Sequence, residues 1–401
     1  MLVVQKYGGT SVGSLDRIEN VVNRVTKARD DGQDLVIVVS AMSGETNKLI
    51  GYAEHFTKSP AKKEMDMLLS SGERVTAALL SIALQAKGYD AVAMTGRQAG
   101  IVTDNLHTYA RIKEIKPIAI QNALQKGKII IVAGFQGINK DGSVTTLGRG
   151  GSDLSAVALA GALNADQCEI YSDVDGIYTT DPRIEPNAKK LDVISYDEML
   201  ELASLGAKVL QNRSVELAKK LKVKLYAKSS FSNNEGTLIT EETENMEEVL
   251  VSGVVLDKNQ ARVTLRGVSD RPGIAAEIFT KLAEENINVD MIIQNVGTDG
   301  KTNLGFTIPQ SELENAKCVV ASFNHDIEGV DYDEHICKVS VVGVGMKSHS
   351  GVAAAAFSAL ATNNINIQMI STSEIKVSMV IDEKYGELAI RILHEAYRLD
   401  K

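Results

Sequence analysis

Leu2-Val3-Val4-Gln5-Lys6-Tyr7-Gly8-Gly9-Thr10-Ser11 opens the chain. A short apolar strand runs into a lysine, paired glycines and two hydroxyls, and a helical pattern follows from about Ser14 to Arg29. That order suits a phosphate. Glycines let the main chain approach an anion and turn N–H groups toward it. The following helix directs its positive end to the same place, and the lysine supplies a point charge for transferring oxygens. The spacing is neither GxxxxGK[ST] nor GxGxxG. A glycine turn with a solvated lysine would look similar over these ten residues, so the reading depends on the rest of the chain.

The 401 residues exceed one core and suit two or three domains. Apolar content of 44% and charge of 24% are those of a globular protein. A net charge of −9 argues against nucleic acid or an anionic membrane as partner. No apolar run reads as long enough for a membrane helix, and no charged leader precedes the first strand. Cys168, Cys318 and Cys337 are few, odd in number and far apart. They fit a reducing cytoplasm and argue against a disulfide framework or a zinc site, and no metal ligand set is expected in the protein.

Strand-like runs at Leu2–Gln5, Leu35–Ser40, Ala91–Met94, Ile129–Ala133, Glu169–Ser172 and Val223–Ala227 alternate with helical patterns. The helical patterns include a long one from Ala61 to Lys87, and others near Lys116–Lys126, Asp153–Leu163, Tyr196–Leu205 and Asn212–Leu221. Continuous Val/Ile strands predict an α/β fold, a mostly parallel sheet with helices on both faces. The polar stretch Ser232–Glu248 reads as a linker. Beyond it, Gly273-Ile274-Ala275-Ala276, Phe279, Leu282-Ala283 and Asn286-Ile287-Asn288-Val289 recur 78 residues later as Gly351-Val352-Ala353-Ala354, Phe357, Leu360-Ala361 and Asn364-Ile365-Asn366-Ile367. Each copy reads strand, helix, strand, strand, helix, strand, the order of a small ferredoxin-like sheet. The expected domains are 1–232, a linker 233–248, a first repeat 249–332 and a second 333–401.

Three further motifs carry chemistry. Thr145-Thr146-Leu147-Gly148-Arg149-Gly150-Gly151-Ser152-Asp153 is a second glycine loop before a helix, with Arg149 able to grip a carboxylate or phosphate in bidentate fashion. Asp153 stands where a carboxylate would otherwise cap the helix. Ser172-Asp173 through Tyr178-Thr179-Thr180-Asp181-Pro182-Arg183 leaves a strand at its carboxyl end, where open α/β sheets bind ligands; Asx-turns alone would explain its Asp-Gly and Asp-Pro pairs. Gly72, in Ser71-Gly72-Glu73, costs a helix about 1 kcal/mol against alanine and suggests a break where Glu73 faces a site.

Together these residues resemble the aspartate kinases, of the amino-acid kinase fold with two C-terminal ACT domains. The resemblance spans the chain and rests on Lys6–Ser11, Val39-Ser40-Ala41-Met42, Met65-Asp66-Met67-Leu68-Leu69-Ser70-Ser71-Gly72-Glu73, Val132-Ala133-Gly134-Phe135-Gln136-Gly137, Leu147–Asp153, Tyr171–Arg183 and Ser371-Thr372-Ser373-Glu374-Ile375. It implies transfer of the ATP γ-phosphoryl group to the β-carboxylate of L-aspartate, with ATP and Mg²⁺ as cofactors, at the head of lysine, methionine and threonine synthesis. A carboxylate nucleophile is already anionic, so positioning and charge neutralisation suffice. No histidine sits in any of these motifs, as that chemistry allows.

The resemblance assigns Lys6 to the transferring phosphoryl group, with Tyr7, Gly8 and Gly9 along the nucleotide and both glycines as backbone donors. Glu73 takes the substrate ammonium and Arg149 its carboxylate. Ser40, Thr46, Gly150, Gly151 and Ser152 line the pocket, and Asp153 orients the lysines. Ser172, Asp173, Tyr178, Thr179, Asp181, Pro182, Arg183 and Lys208 hold the nucleotide. Where many relatives carry Leu-His-Pro-Arg, this chain has Leu210-Gln211-Asn212-Arg213. Another amino-acid kinase, acting on glutamate or acetylglutamate, is the nearest alternative; Ser71-Gly72-Glu73 and the tandem repeats oppose it. A catalytically dead amino-acid sensor is the alternative of another class; intact Lys6, Arg149, Asp153 and Lys208 oppose it.

ACT domains sense amino acids and pair across subunits, so the resemblance implies a homo-oligomer, a dimer or tetramer, with lysine, threonine or both as effectors. The Gln294-Asn295-Val296 stretch favours joint inhibition. Asp270, Gly273, Ile287, Asn288, Asp290 and Gln294 of the first copy form the expected effector site, Asp290 for an ammonium and the helix start at Gly273 for a carboxylate. Met346, Gly351 and Val352 of a partner chain would complete it. In the second copy Gln368 replaces Asp290. Met246 would allow an ACT-only subunit from an internal start.

Overall fold

The computed structural model describes the chain except residues 206–208, 243–249, 296–299, 324, 348 and 350. The chain forms two compact units: Met1–Ile177 with Lys190–Glu244, and Tyr178–Lys189 with Asn245–Lys401.

In the first unit the strands are β1 (Leu2–Tyr7), β2 (Asp34–Val39), β3 (Ala91–Met94), β4 (Ile101–Thr103), β5 (Ile112–Ile115), β6 (Ile129–Ala133), β7 (Gln136–Ile138), β8 (Val144–Thr146), β9 (Gln167–Ser172), β10 (Val193–Ser195), β11 (Leu225–Ser229) and β12 (Thr237–Thr240). The helices are α1 (Leu15–Asp30), α2 (Glu45–Phe56), α3 (Lys62–Leu69), α4 (Ser71–Ala86), α5 (Ile118–Gln125), α6 (Gly151–Leu163), α7 (Tyr196–Ser204) and α8 (Asn212–Leu221). The main sheet runs β10-β12-β11-β9-β1-β2-β6-β3. From β11 to β3 every pairing is parallel; only β11 and β12 meet antiparallel. Leu35–Val39 and Ile129–Ala133 are buried on both faces, which is why they read as unbroken apolar runs.

Helix α1 buries Ile18, Val21, Val22 and Val25 along one stripe. It starts at Ser14, whose Oγ accepts from the Arg17 N–H at 3.3 Å. The long pattern from Ala61 to Lys87 is two helices, α3 and α4, meeting at Ser70. Taken as one stretch, Lys62–Ala86 matches a membrane span by length and composition only. It nonetheless carries the buried Asp66 and Glu73 and packs Ala77, Leu80 and Leu84 into the core of this unit.

A second sheet, β5-β4-β7-β8, is absent from the sequence reading because its strands are three or four residues long. It ends in Thr145-Thr146 of β8, directly before the second glycine loop. The expected linker 233–248 contains β12, whose Thr237 and Ile239 are buried. Two adjacent apolar residues, Leu238 and Ile239, among polar neighbours gave too short a signal.

The second unit contains β13 (Gly253–Ser269), α9 (Ile274–Glu284), β14 (Ile292–Gln294), β15 (Lys301–Ile308), α10 (Leu313–Ala321), β16 (Gly329–Val342), α11 (Val352–Thr362), β17 (Met369–Thr372), β18 (Lys376–Asp382) and α12 (Gly386–Ala396). One sheet, β14-β15-β13-β16-β18-β17, joins both repeats. Gly273 and Gly351 cap α9 and α11 in the same left-handed conformation, each at φ 99°, so the repeat extends to the backbone.

The second copy departs from the expected order: among the described residues no strand follows α12. Its fourth strand is the start of β13, where Gly253–Asp257 pairs antiparallel with Val342–Lys338. Val251 and Val254 accordingly lie in the core of the second repeat with Val339, Val341 and Leu393. The first repeat takes its fourth strand from the start of β16, Gly329–Asp333 against Arg266–Arg262. A fragment beginning at Met246 therefore keeps all six strands of this sheet, whereas one beginning at Lys258 exposes an edge and loses Val254 from the core. The longer fragment should give a cooperative thermal transition by circular dichroism and the shorter should bind 1-anilinonaphthalene-8-sulfonate with a broadened melt; identical melts would count against the borrowed strand.

Candidate active site

Lys6 lies near the carboxyl end of β1. Strand alternation sends its neighbour Tyr7 into the α1 core and Lys6 to the other face, toward α6. There Lys6 Nζ meets Asp153 Oδ1 at 2.6 Å, each side chain 11% exposed. Asp153 sits in the first turn of α6, which begins after Gly150 without a side-chain cap. Its carboxylate serves the lysine rather than the helix end, and the two glycine motifs, 140 residues apart, meet at this ion pair.

The glycines are where the chain leaves no room. A Cβ on Gly8 would lie 3.4 Å from Lys6 Nζ, and one on Gly9 3.1 Å from the Ala41 carbonyl. Gly8 N–H donates to the Tyr171 carbonyl at 3.1 Å, tying the loop to the end of β9. Gly148 and Gly150 hold φ of 80° and 71°, conformations that L residues rarely adopt. Gly72 breaks no helix. A Cβ there would come 2.7 Å from the Ala41 Cβ, so glycine lets α4 press against the end of β2.

That approach brings Glu73 to the site. Glu73 is 4% exposed, and its Oε1 accepts from the Ala41 N–H at 3.1 Å. Its Oε2 is buried without a partner among the described residues. Burial pushes its carboxyl up to about 7, against the pull of the Ala41 and Glu73 amides. A buried carboxylate with one open oxygen is a receptor for a cation.

Ser40 and Thr46 are half-buried around the same turn, at the end of β2 and in the first turn of α2. Ser152 is buried, with the Cα of Gly134 close beneath it. Arg149 is exposed and forms no ion pair among the described residues. The Tyr7 ring is fully buried and stacked on Tyr171, centroids 4.8 Å apart, so that side chain belongs to the core.

The expected nucleotide residues divide between the units. Ser172 and Asp173 end β9 in the first, Asp173 exposed. Tyr178, Thr179, Asp181, Pro182 and Arg183 belong to the second. Thr179 is buried there: its carbonyl accepts from Val254 N–H at 2.8 Å and its Oγ1 lies 3.0 Å from His394 Nε2. Arg391 Nε donates to the Ile184 carbonyl at 3.0 Å. Asp181 and Arg183 pair at 2.7 Å, holding the Asp181 carboxyl below its ordinary range. Lys208 lies outside the described residues.

Of the expected effector residues, Asp290 forms an ion pair with Lys338, a buried lysine of β16 that the sequence reading missed. Nothing in its strand pattern marks it, because a lysine on a strand usually reads as solvated. Ile287 and Val352 are core residues, Asp270 and Gly273 stand before α9, and Gln294 is exposed at the end of β14. Asn288 and Gly351 are exposed, and Met346 packs against the second repeat's core. Val296 and Met246 lie outside the described residues.

Comparison with known proteins agrees with this architecture. The amino acid kinase family matches residues 1–228, and the ACT domain matches 263–322 and 339–397. An aspartokinase of Helicobacter pylori is 59% identical over the full length of both chains. An aspartate kinase of Pseudomonas putida is 53% identical, covering all of this chain and 98% of that one. The crystal structure of E. coli aspartokinase III in complex with aspartate and ADP superposes with a TM-score of 0.82 at 26% identity, covering 99% of each. Fold and site thus define an amino acid kinase with a pair of ACT domains. Within that class the chain belongs to the aspartokinases, phosphotransferases whose acceptor is a carboxyl group.

Glu73 gives a test of site strain. Its ordinary value is 4.5 and its folded value about 7. Between the two, the folded protein holds a proton that the unfolded chain releases. Stability therefore falls as pH rises across that interval and stays lower above it. Glu73→Gln removes this cost and should stabilise the free protein by up to about 3 kcal/mol near pH 8, with little effect below about pH 4. Denaturant melts at both pH values measure the difference; a variant no more stable at pH 8 would contradict the placement of Glu73.

Proposed function

We propose that this chain transfers the γ-phosphoryl group of ATP to the β-carboxylate of L-aspartate, giving 4-phospho-L-aspartate for lysine, methionine and threonine synthesis. The observation that carries this is the Lys6–Asp153 pair set between two glycine loops, with Glu73 buried beside the first. A β-carboxylate oxygen attacks the γ-phosphorus as its bond to the ADP oxygen breaks. The acceptor is already ionised, so no base is needed. Lys6 neutralises charge on the transferring oxygens, and Asp153 holds it there. Glu73 receives the substrate ammonium and Arg149 its α-carboxylate, with Ser40, Thr46 and Ser152 around them. Gly9 offers a main-chain N–H group to the phosphates, and Gly150 and Gly151 line the substrate pocket, the Gly151 N–H itself donating to the Gly148 carbonyl at 2.9 Å.

Ser172, Asp173, Tyr178 and Arg183 are the nucleotide side of this reading. Mg²⁺ fits as a companion of the ATP phosphates, retaining its waters. No cluster of three or more His, Cys, Asp or Glu side chains able to hold a metal occurs among the described residues.

The ACT pair supports feedback by lysine, threonine or both. The E. coli protein has also been solved with lysine and aspartate, at a TM-score of 0.81 and 27% identity. In this chain Asp290 reaches an effector ammonium only in competition with Lys338. A homo-oligomer through the ACT sheets, an ACT-only subunit starting at Met246 and a cytoplasmic setting complete the reading.

The test is purified protein with ATP, Mg²⁺ and L-aspartate in hydroxylamine, scored for aspartyl hydroxamate, with lysine and threonine added singly and together. Turnover with aspartate but not glutamate, suppressed by the amino acids, is the expected result. No hydroxamate from folded protein would overturn the substrate, and turnover indifferent to both amino acids would overturn the feedback.

A further inference from the structure

The Arg149 loop is held from outside by groups that the reaction itself does not require. Arg213 stands in the first turn of α8 and is half-buried. Its Nη1 donates to the Leu147 carbonyl at 2.6 Å and its Nη2 to the Ala110 carbonyl at 3.0 Å. The same guanidinium lies 4.7 Å from the ring centroid of Tyr109. That ring occupies the space beside Gly148, where a Cβ would come 2.6 Å from Tyr109 Cδ2. Ala110 N–H donates to the Thr146 carbonyl at 2.9 Å. One side chain therefore fastens the segment 109–110 to the first residues of the loop that bears Arg149, Gly150 and Gly151.

The opposite side of the loop is tied as well. Asp66 on α3 is fully buried and accepts from Thr146 Oγ1 at 2.5 Å and from Thr108 N–H at 3.0 Å. The Gln211 side chain fills the space over Gly150.

A cation in the first turn of a helix opposes the helix dipole, so Arg213 stands there at a local cost. Arginine serves the two carbonyls from separate nitrogens of one rigid plane, a span that the single nitrogen of a lysine cannot reproduce. We propose that Arg213 is a positioning residue for phosphoryl transfer: by bridging Leu147 and Ala110 it sets where Arg149 and the Gly150 amide meet the substrate carboxylate. This rests on the reading that Arg149 takes that carboxylate.

Aspartate KM, kcat and ADP affinity of Arg213→Lys and Arg213→Ala test it, beside Arg149→Lys and thermal melts of each protein. Displacement of a binding group by a fraction of an ångström costs about tenfold or more. Both Arg213 variants should raise the aspartate KM by at least about tenfold while ADP affinity stays within about twofold, and lysine should not rescue. If Arg213→Ala does not fold, Arg213→Lys alone decides. Lower melting temperature with unchanged aspartate KM, or an equal loss of ADP affinity, would overturn the proposal. If Arg149→Lys leaves the aspartate KM unchanged, the assignment of Arg149 fails instead.

Discussion

The buried contact between Lys6 and Asp153 is the constraint on which the catalytic unit depends. It joins the end of β1, central between β2 and β9, to the first turn of α6. Such a pair is a poor source of stability, because desolvation offsets most of the attraction. Its value is placement: one cation held at the carboxyl edge of a parallel sheet, beside two glycine loops that leave the main chain open. The close approaches of Gly9 and Gly72 to Ala41 follow from the same need, since they bring the β1 loop and Glu73 to one turn. Glu73 is kept dry with one oxygen unsatisfied among the described residues, and the substrate ammonium we propose for it would relieve what burial costs.

The second unit is constrained differently. Its two repeats share one sheet through the long antiparallel pair β13 and β16; the first is completed by Gly329–Asp333, which follows α10, whereas the second takes its fourth strand from Gly253–Asp257, ahead of the first. The second repeat is incomplete without that strand. The segment Tyr178–Lys189 packs with this unit although it leaves and rejoins the strands of the first. Thr179 is fixed by Val254 and His394, and Ile184 by Arg391. Part of the expected nucleotide loop is thus structurally a component of the regulatory unit.

All six strands read from Val/Ile runs are present, because strands buried on both faces announce themselves by composition. The repeat was equally legible, down to the shared conformation of Gly273 and Gly351. What the sequence hid was short or tertiary. The β4, β5, β7 and β8 strands carry too few residues for a period to register, and β12 lay inside a polar stretch. The borrowed strand could not be read, because pairing between residues 253 and 342 leaves no local trace. In the site, Lys6, Asp153 and Glu73 were legible as motif members; that Asp153 orients lysines came from the resemblance, since a carboxylate in a first helical turn also reads as a cap. Arg213 and Lys338 were missed because their meaning lies in carbonyls and carboxylates distant in sequence.

The placement of Lys6 by Asp153 is tested most directly by steady-state kinetics of Asp153→Asn, which keeps the shape and removes the charge. The expected result is a kcat lowered by roughly 100-fold or more with the aspartate KM within a few-fold of wild type, since the charge matters where phosphoryl oxygens develop theirs. A kcat near wild type, or a change confined to KM, would contradict the role of this ion pair in the transfer step.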